Sequence, residues 1–119
     1  ARTSIQDGAI VHCTSDLPTT IGDDCTVGHN AHLEGCTVND GALVGSGALV
    51  LHQVVVGSHA LVAAGAVCTT GLDIPEFALA VGVPARIKPG AADQQTMQYS
   101  NQTYVANAKN YPTQMRRIQ

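Results

Sequence analysis

Two histidines and a glutamate in the first third of the chain are the residues best suited to chemistry: His12, His29 and Glu34. Two imidazoles and one carboxylate that leave a fourth position open are a donor set of catalytic zinc sites. A zinc ion held in this way lowers the pKa of a bound water to about 7. These residues therefore predict a zinc site, provided that the fold brings them together. His52 and His59 have no second ligand beside them in the sequence, which favours ordinary surface histidines.

The composition favours a thin core and argues against nucleic-acid binding. All four aromatic residues lie at or after position 77: Phe77, Tyr99, Tyr104 and Tyr111. The stretch 1–76 must therefore build its interior from Val, Ile, Leu, Ala and Cys. Residues 3–85 carry no Lys or Arg, whereas binding to phosphate backbones needs clustered cations. The resulting anionic surface fits a small-molecule or protein partner.

The four cysteines form no C-x-x-C pair: Cys13, Cys25, Cys36 and Cys68. Their spacing favours small buried thiols in a reducing compartment. No stretch reaches the roughly 18 uncharged apolar residues that a membrane span needs, and no signal peptide is visible. The chain starts at Ala1, so a targeting segment could have been removed.

The elements that must position these residues follow a six-residue period. Valines recur at intervals of six: Val38, Val44, Val50, Val56 and Val62. Four positions after each stands another small apolar residue: Ala42, Ala48, Val54, Ala60 and Ala66. This spacing fits neither a helix nor a simple strand. It is typical of hexapeptide repeats, in which each repeat is a short strand plus a turn and three repeats make one coil of a parallel β-helix.

The same phase extends upstream through Val11, Ile21, Val27 and Leu33, with two slips. A four-residue excess between Val11 and Ile21 predicts a loop within residues 13–18. Only five residues separate Leu33 from Val38, so either His32 or Leu33 could point inward.

The repeat also predicts where the candidate ligands lie. Three repeats return to the same face, so Leu33 should stack on Val11, and Glu34 on His12, about 4.8 Å away. His29 belongs to the adjacent face. One ion can then reach all three ligands only if a neighbouring subunit supplies His29, as in a trimer.

Six stretches together resemble the gamma-class carbonic anhydrase family: residues 4–12, 21–31, 35–38, 41–48, 61–66 and 81–86. The resemblance covers about residues 2–88 and is most specific around His12 and His29. The closing Gly-Val-Pro-Ala-Arg stretch is shared with hexapeptide acyltransferases.

The resemblance implies an all-β solenoid, a left-handed parallel β-helix over residues 1–90 that assembles as a homotrimer or heterotrimer. It also implies an intersubunit zinc ion held by three histidines. His12 and His29 match two of them, and Glu34 stands at the third. Glu34 could replace the third histidine as a zinc ligand, in which case its negative charge reduces the positive charge that acidifies the zinc-bound water. Alternatively, its presence indicates a family member that no longer binds the metal. His32 could compensate only if its strand turned it outward, whereas the repeat phase favours an interior or corner position.

Further site residues are implied by the same resemblance. Gln6 and Asp7 match a Gln-Asp pair that orients ligands and bound solvent. Tyr104 matches a tyrosine that the C-terminal helix of the family presents near the site. Residues 91–119 are expected to form this α-helix, over 91–111, and a tail. The family's opening coils should precede Arg2, so the β-helix is expected to start uncapped, with an edge that needs another segment or polypeptide to cover it.

Three functions follow as hypotheses. The first is a structural trimer subunit in the carbonic anhydrase domain of mitochondrial respiratory complex I, a membrane complex, on the matrix side. The second is an active zinc carbonic anhydrase that interconverts CO2 and bicarbonate; outside complex I the protein is expected in the cytoplasm. The third is a hexapeptide acyltransferase, which would not need the constellation of His12, His29, Gln6 and Asp7. The substituted ligand and the missing coils favour the first.

Overall fold

The computed structural model describes residues 2–13, 17–95 and 97. Tyr104 and nearly all of the expected C-terminal helix lie outside these residues. The described part contains fourteen short strands: β1 (Ser4–Ile5), β2 (Ile10–His12), β3 (Thr20–Ile21), β4 (Thr26–Val27), β5 (His32–Glu34), β6 (Thr37–Val38), β7 (Leu43–Val44), β8 (Leu49–Val50), β9 (Val55–Val56), β10 (Leu61–Val62), β11 (Val67–Cys68), β12 (Asp73–Ile74), β13 (Leu79–Val81) and β14 (Arg86–Lys88).

The strands form three sheets that the chain visits in turn. Sheet A has the order β1-β4-β7-β10-β13-β14, sheet B the order β2-β5-β8-β11, and sheet C the order β3-β6-β9-β12. All pairs are parallel except β13 with β14, which is antiparallel. Three consecutive strands therefore make one coil. The predicted parallel β-solenoid is confirmed.

The core is a column of small apolar side chains at the positions that the repeat predicts. Val38, Val44, Val50, Val56 and Val62 are at most 1% exposed, as are the small residues that follow each of them. Val11 was expected to point into this column, yet it is 42% exposed. Its strand, β2, is the edge strand of sheet B, so within the described residues no further coil covers it.

Three of the four thiols are buried in the core, as the sequence predicts: Cys25, Cys36 and Cys68. Cys13 is exposed, so the expectation of a buried thiol was wrong there, because this residue follows the edge strand β2. Burial raises the pKa of Cys36 and of Cys68 to about 11. These two groups therefore stay protonated and unreactive at neutral pH.

Beyond β14 the described backbone is helical at Gln94, Gln95 and Met97. The amide of Met97 donates to the carbonyl of Asp93 at 3.0 Å, and the Met97 side chain is 4% exposed. The rest of the helix expected over 91–111 lies outside the described residues. Within the part of the chain that the structure describes, no helix has the length and apolar character that a membrane crossing needs.

Candidate metal centre at two corners of the solenoid

The turns between sheets define the corners of the solenoid, and the candidate ligands lie at two of them. The corner from sheet A to sheet B, called the first corner, includes Asp7 and His29. The corner from sheet B to sheet C, called the second corner, begins at His12 and Glu34, the last residues of β2 and β5. Each ligand is therefore placed by a turn that its own repeat fixes.

At the second corner, His12 and Glu34 are partners on adjacent parallel strands. Val11 and Leu33 are partners one position earlier, so the stacking that the repeat count predicts is confirmed. The His12 carbonyl accepts hydrogen bonds from the Gly35 amide at 3.2 Å and from the Thr19 hydroxyl at 2.6 Å. These bonds fix the backbone of His12 directly beside that of Glu34.

The structure also decides which residue of the shortened repeat points inward. Leu33 is 0% exposed and packs in the core. His32 and Glu34 flank it in β5 and keep 30% and 28% of their side chains exposed. Because side chains alternate along a strand, His32 lies on the outer surface with Glu34. The expectation of an interior or corner position for His32 was wrong.

Two imidazoles bracket the Glu34 carboxylate. His32 Nε2 lies 3.5 Å from Oε2, and His52 Nε2 lies 3.7 Å from Oε1. His52 was expected to be an ordinary surface histidine, yet it is half-buried against this carboxylate. The strand register could have predicted that His52 lies near Glu34, since Leu33 pairs with Val50 in the next coil. Residue 34 is then the neighbour of residue 51, and His52 is the next residue in the turn.

The first corner brings together the other predicted site residues. The backbone N–H of Gln6 donates to the Val27 carbonyl at 2.9 Å, and the backbone N–H of Asn30 donates to the backbone carbonyl of Asp7 at 3.1 Å. Gln6 and Asp7 therefore lie beside the turn that carries His29 in the next coil. His29 is exposed, and its carbonyl accepts from the Gly47 amide at 2.8 Å.

Gln6 is the one described residue with a buried side-chain oxygen that has no hydrogen-bond partner. The residue is 9% exposed, its Nε2 donates to the Ser4 hydroxyl at 3.3 Å, and its Oε1 accepts no hydrogen bond. Leaving such a group unsatisfied costs about 1–3 kcal/mol. This oxygen is therefore well placed to accept a hydrogen bond from a ligand or from ordered solvent.

The two corners carry a donor set that suits zinc, but a single chain does not assemble it. Imidazole nitrogens and a carboxylate oxygen are ordinary zinc ligands. Among residues 2–13, 17–95 and 97, however, no group of three or more His, Cys, Asp or Glu side chains could hold a metal ion. His12 and Glu34 share the second corner, whereas His29 lies at the first. The donor chemistry fits zinc, but within one chain the three candidate ligands lie at different corners.

Apolar side chains are concentrated on the outer surfaces of sheets A and B, which meet at the first corner. The outward row of sheet A contains three half-buried leucines, Leu43, Leu61 and Leu79, between Ser4 and Thr26 at one end and Lys88 at the other. In sheet B the outward row contains Ile10, Leu49 and Val67, with His32 between the first two. Ile10 is 55% and Leu49 38% exposed. Polar residues dominate the corresponding row of sheet C: Thr20, Thr37 and Asp73, with Val55 between them. Among the described outward rows, those of sheets A and B, the two sheets that meet at His29, therefore carry more of the large apolar residues than that of sheet C.

Comparisons with known proteins agree with this architecture. The family described as bacterial transferase hexapeptide (six repeats) matches residues 18–52. A protein named gamma carbonic anhydrase 2, mitochondrial, from Arabidopsis thaliana is 42% identical over 115 residues, which are 92% of this chain and 40% of that protein. Gamma carbonic anhydrase 1, mitochondrial, from the same organism is 43% identical over 99 residues, which are 78% of this chain and 36% of that protein.

Among solved structures, a hexapeptide transferase family protein from Anaplasma phagocytophilum superimposes with a TM-score of 0.85 and 31% identity, over 92% of this chain and 66% of that chain. The chain spans less than half the length of the two carbonic anhydrase relatives. The hexapeptide repeat and the resemblance to gamma carbonic anhydrases, both inferred from the sequence, are confirmed by these matches.

Proposed function

We propose that this chain, which is similar to gamma carbonic anhydrases and to hexapeptide-repeat proteins, is a subunit of a trimer that binds zinc between its subunits. His12 and Glu34 of one copy and His29 of the next would be the ligands. Each trimer would then hold three equivalent sites, one at each contact between copies.

The observation that carries this proposal is the separation of the ligands onto two corners of the same coil. His29 lies in the turn before β5, and Glu34 is the last residue of that strand, so the whole of β5 lies between them. Zinc needs its ligand atoms about 2.0–2.2 Å from the ion. A second copy that places its first corner against the second corner of its neighbour would bring His29 to His12 and Glu34.

The apolar rows of sheets A and B support such a contact. The two rows flank the corner that carries His29, and Ile10 and Leu49 remain exposed in the isolated chain. A contact between two different surfaces of identical chains closes into a ring when the rotation is a third of a turn. The three copies would then bury these rows and complete three metal sites together.

The first corner supplies the residues that would act on whatever occupies the open zinc position. A zinc ion held by His12, Glu34 and His29 would lower the pKa of its bound water, which is the chemistry that CO2 hydration needs. Gln6 offers a buried oxygen without a partner, which would accept a hydrogen bond from solvent or substrate at the site. Asp7 is held next to it through its carbonyl bond to Asn30. Tyr104, which lies outside the described residues, is proposed as a further residue near the site on the resemblance alone.

For the cellular role we propose a structural subunit of the carbonic anhydrase domain of mitochondrial respiratory complex I, on the matrix side. The resemblance supports this role, and so do two relatives whose names place them in mitochondria. An active carbonic anhydrase is the second candidate, favoured by the His12, His29 and Gln6 arrangement. A hexapeptide acyltransferase is the least favoured candidate, because acyl transfer would have no use for a metal at His12. The similarity to the Anaplasma hexapeptide transferase family protein supports a transferase only in general.

Metal analysis of the purified protein, together with light scattering, tests the proposal. We expect trimers that hold about one zinc per subunit, Glu34→His trimers that retain zinc, and Glu34→Ala trimers that lose most of it, since removing a ligand breaks the donor set. Trimers without zinc in any of the three proteins would contradict the metal site and the enzyme, and leave the structural role. A stable monomer would contradict the proposal as a whole.

A further inference from the structure

We propose that His32 and His52 are positioning residues that hold the Glu34 carboxylate in place as a metal ligand. This inference rests on the proposed intersubunit zinc site. It assigns a role to two histidines that the proposed ligand set does not use.

The geometry points to this role because each imidazole faces a different oxygen of the same carboxylate. His32 Nε2 approaches Oε2 at 3.5 Å, and His52 Nε2 approaches Oε1 at 3.7 Å. Direct hydrogen bonds of this type are about 2.7–3.2 Å long. A small side-chain rotation would close the remaining gap of about 0.3–0.5 Å. The carboxylate is therefore restrained from two sides, from its own strand and from the following coil.

The chain fixes His52 beside Glu34 through the backbone of the second corner. The Gly71 amide donates to the His52 carbonyl at 3.0 Å, and the Gln53 amide donates to the Gly35 carbonyl at 2.9 Å. Gly35 leaves room for the ring, because a Cβ at this position would lie 2.6 Å from His52 Cδ2. The imidazole thus occupies a place that the absence of a side chain at residue 35 creates.

A carboxylate ligand in this position needs such restraint. Glu has more rotatable bonds than His, so fixing it for coordination costs more conformational entropy. Residues 3–85 contain no Lys or Arg that could hold it. Carboxylates that ligate metals are themselves hydrogen-bonded, and loss of such partners typically weakens metal affinity 10–100-fold. His32 and His52 are the described groups in a position to provide this support.

The test is a cobalt(II) titration of the full-length trimer, followed by the visible absorption of the bound ion. We expect His52→Ala and His32→Ala each to weaken Co²⁺ affinity by about 10–100-fold. His52→Gln should retain most of the affinity, because its amide N–H can reach the same oxygen. His59→Asn is the matched control: His59, like His52, lies in a turn, but its ring stacks on Phe77 with centroids 5.2 Å apart, at the corner between sheets C and A.

The outcomes separate this inference from the function on which it rests. If both alanine variants bind Co²⁺ as tightly as the parent while Glu34→Ala loses it, the positioning role is overturned and the zinc site stands. If the parent takes up no Co²⁺, the zinc site and the positioning role are both overturned. If His52→Ala does not form trimers, His32→Ala and His52→Gln still decide the question. If His52→Gln keeps the Co²⁺ affinity and His52→Ala loses it, His52 acts through its N–H on the carboxylate. A histidine that only fills space would not distinguish the two variants in this way.

Discussion

Replacing Gly35 with alanine tests how the second corner shapes the candidate site. Gly35 has a φ of +61°, where a residue with a Cβ pays about 1–2 kcal/mol. Its new Cβ would also lie 2.6 Å from His52 Cδ2 and 3.2 Å from Leu17 Cβ. The imidazole is the movable partner, and driving it off its rotamer costs about 0.5–1.5 kcal/mol. We therefore expect Gly35→Ala to lower the free energy of unfolding by about 1.5–3.5 kcal/mol.

Gly71→Ala is the matched control, since Gly71 occupies the same corner two coils later. Its φ is +82°, and nothing lies within 4 Å of a Cβ built there, so only the backbone cost of about 1–2 kcal/mol applies. Urea unfolding at a fixed protein concentration measures both variants, and a cobalt(II) titration measures the site. Gly35→Ala should be the less stable by about 1 kcal/mol and should bind Co²⁺ more weakly than Gly71→Ala. Equal stabilities and equal affinities would refute the contact between His52 and this corner.

Two further predictions concern the thiols. Burial raises the pKa of Cys36 and Cys68 from 9.0 to about 11. Between pH 9 and 11 these thiols therefore ionise in the unfolded chain but stay protonated in the folded one. The free energy of unfolding should fall across this range by about 1.4 kcal/mol per pH unit for each thiol. Urea unfolding across this range measures the fall, Cys68→Ala should make it shallower, and a flat profile would contradict it. In the native protein a thiol-specific reagent should label Cys13 first, because it alone of the four cysteines is exposed; similar labelling rates for all four would argue against the buried positions.

The repeat in the sequence predicted the backbone register of the solenoid well. Its six-residue spacing placed Leu33 on Val11 and Glu34 on His12, and both pairs are present. This succeeds because stacking in a solenoid depends on the number of residues in each coil, which can be counted. The same count also separated His29 from Glu34 by one corner.

Side-chain directions at irregular repeats could not be counted in the same way. The short repeat after Leu33 left His32 undecided, and the strand alternation of β5 turned it outward. His52 approaches Glu34 because the chain turns tightly around Gly35, a local packing detail. Exposure of Val11 likewise depends on what covers an edge strand, which repeat spacing does not specify.

The central claim is that each metal site is shared between two subunits, and mixing two inactivated variants tests it most directly. His12→Ala removes a ligand from the second corner, and His29→Ala removes the ligand at the first. Each variant alone should bind little zinc. When equal amounts are unfolded and refolded together, every mixed trimer regains one intact site, so the mixture should hold about one quarter of the parent's zinc. A mixture that binds no more zinc than the separate variants would contradict a shared site.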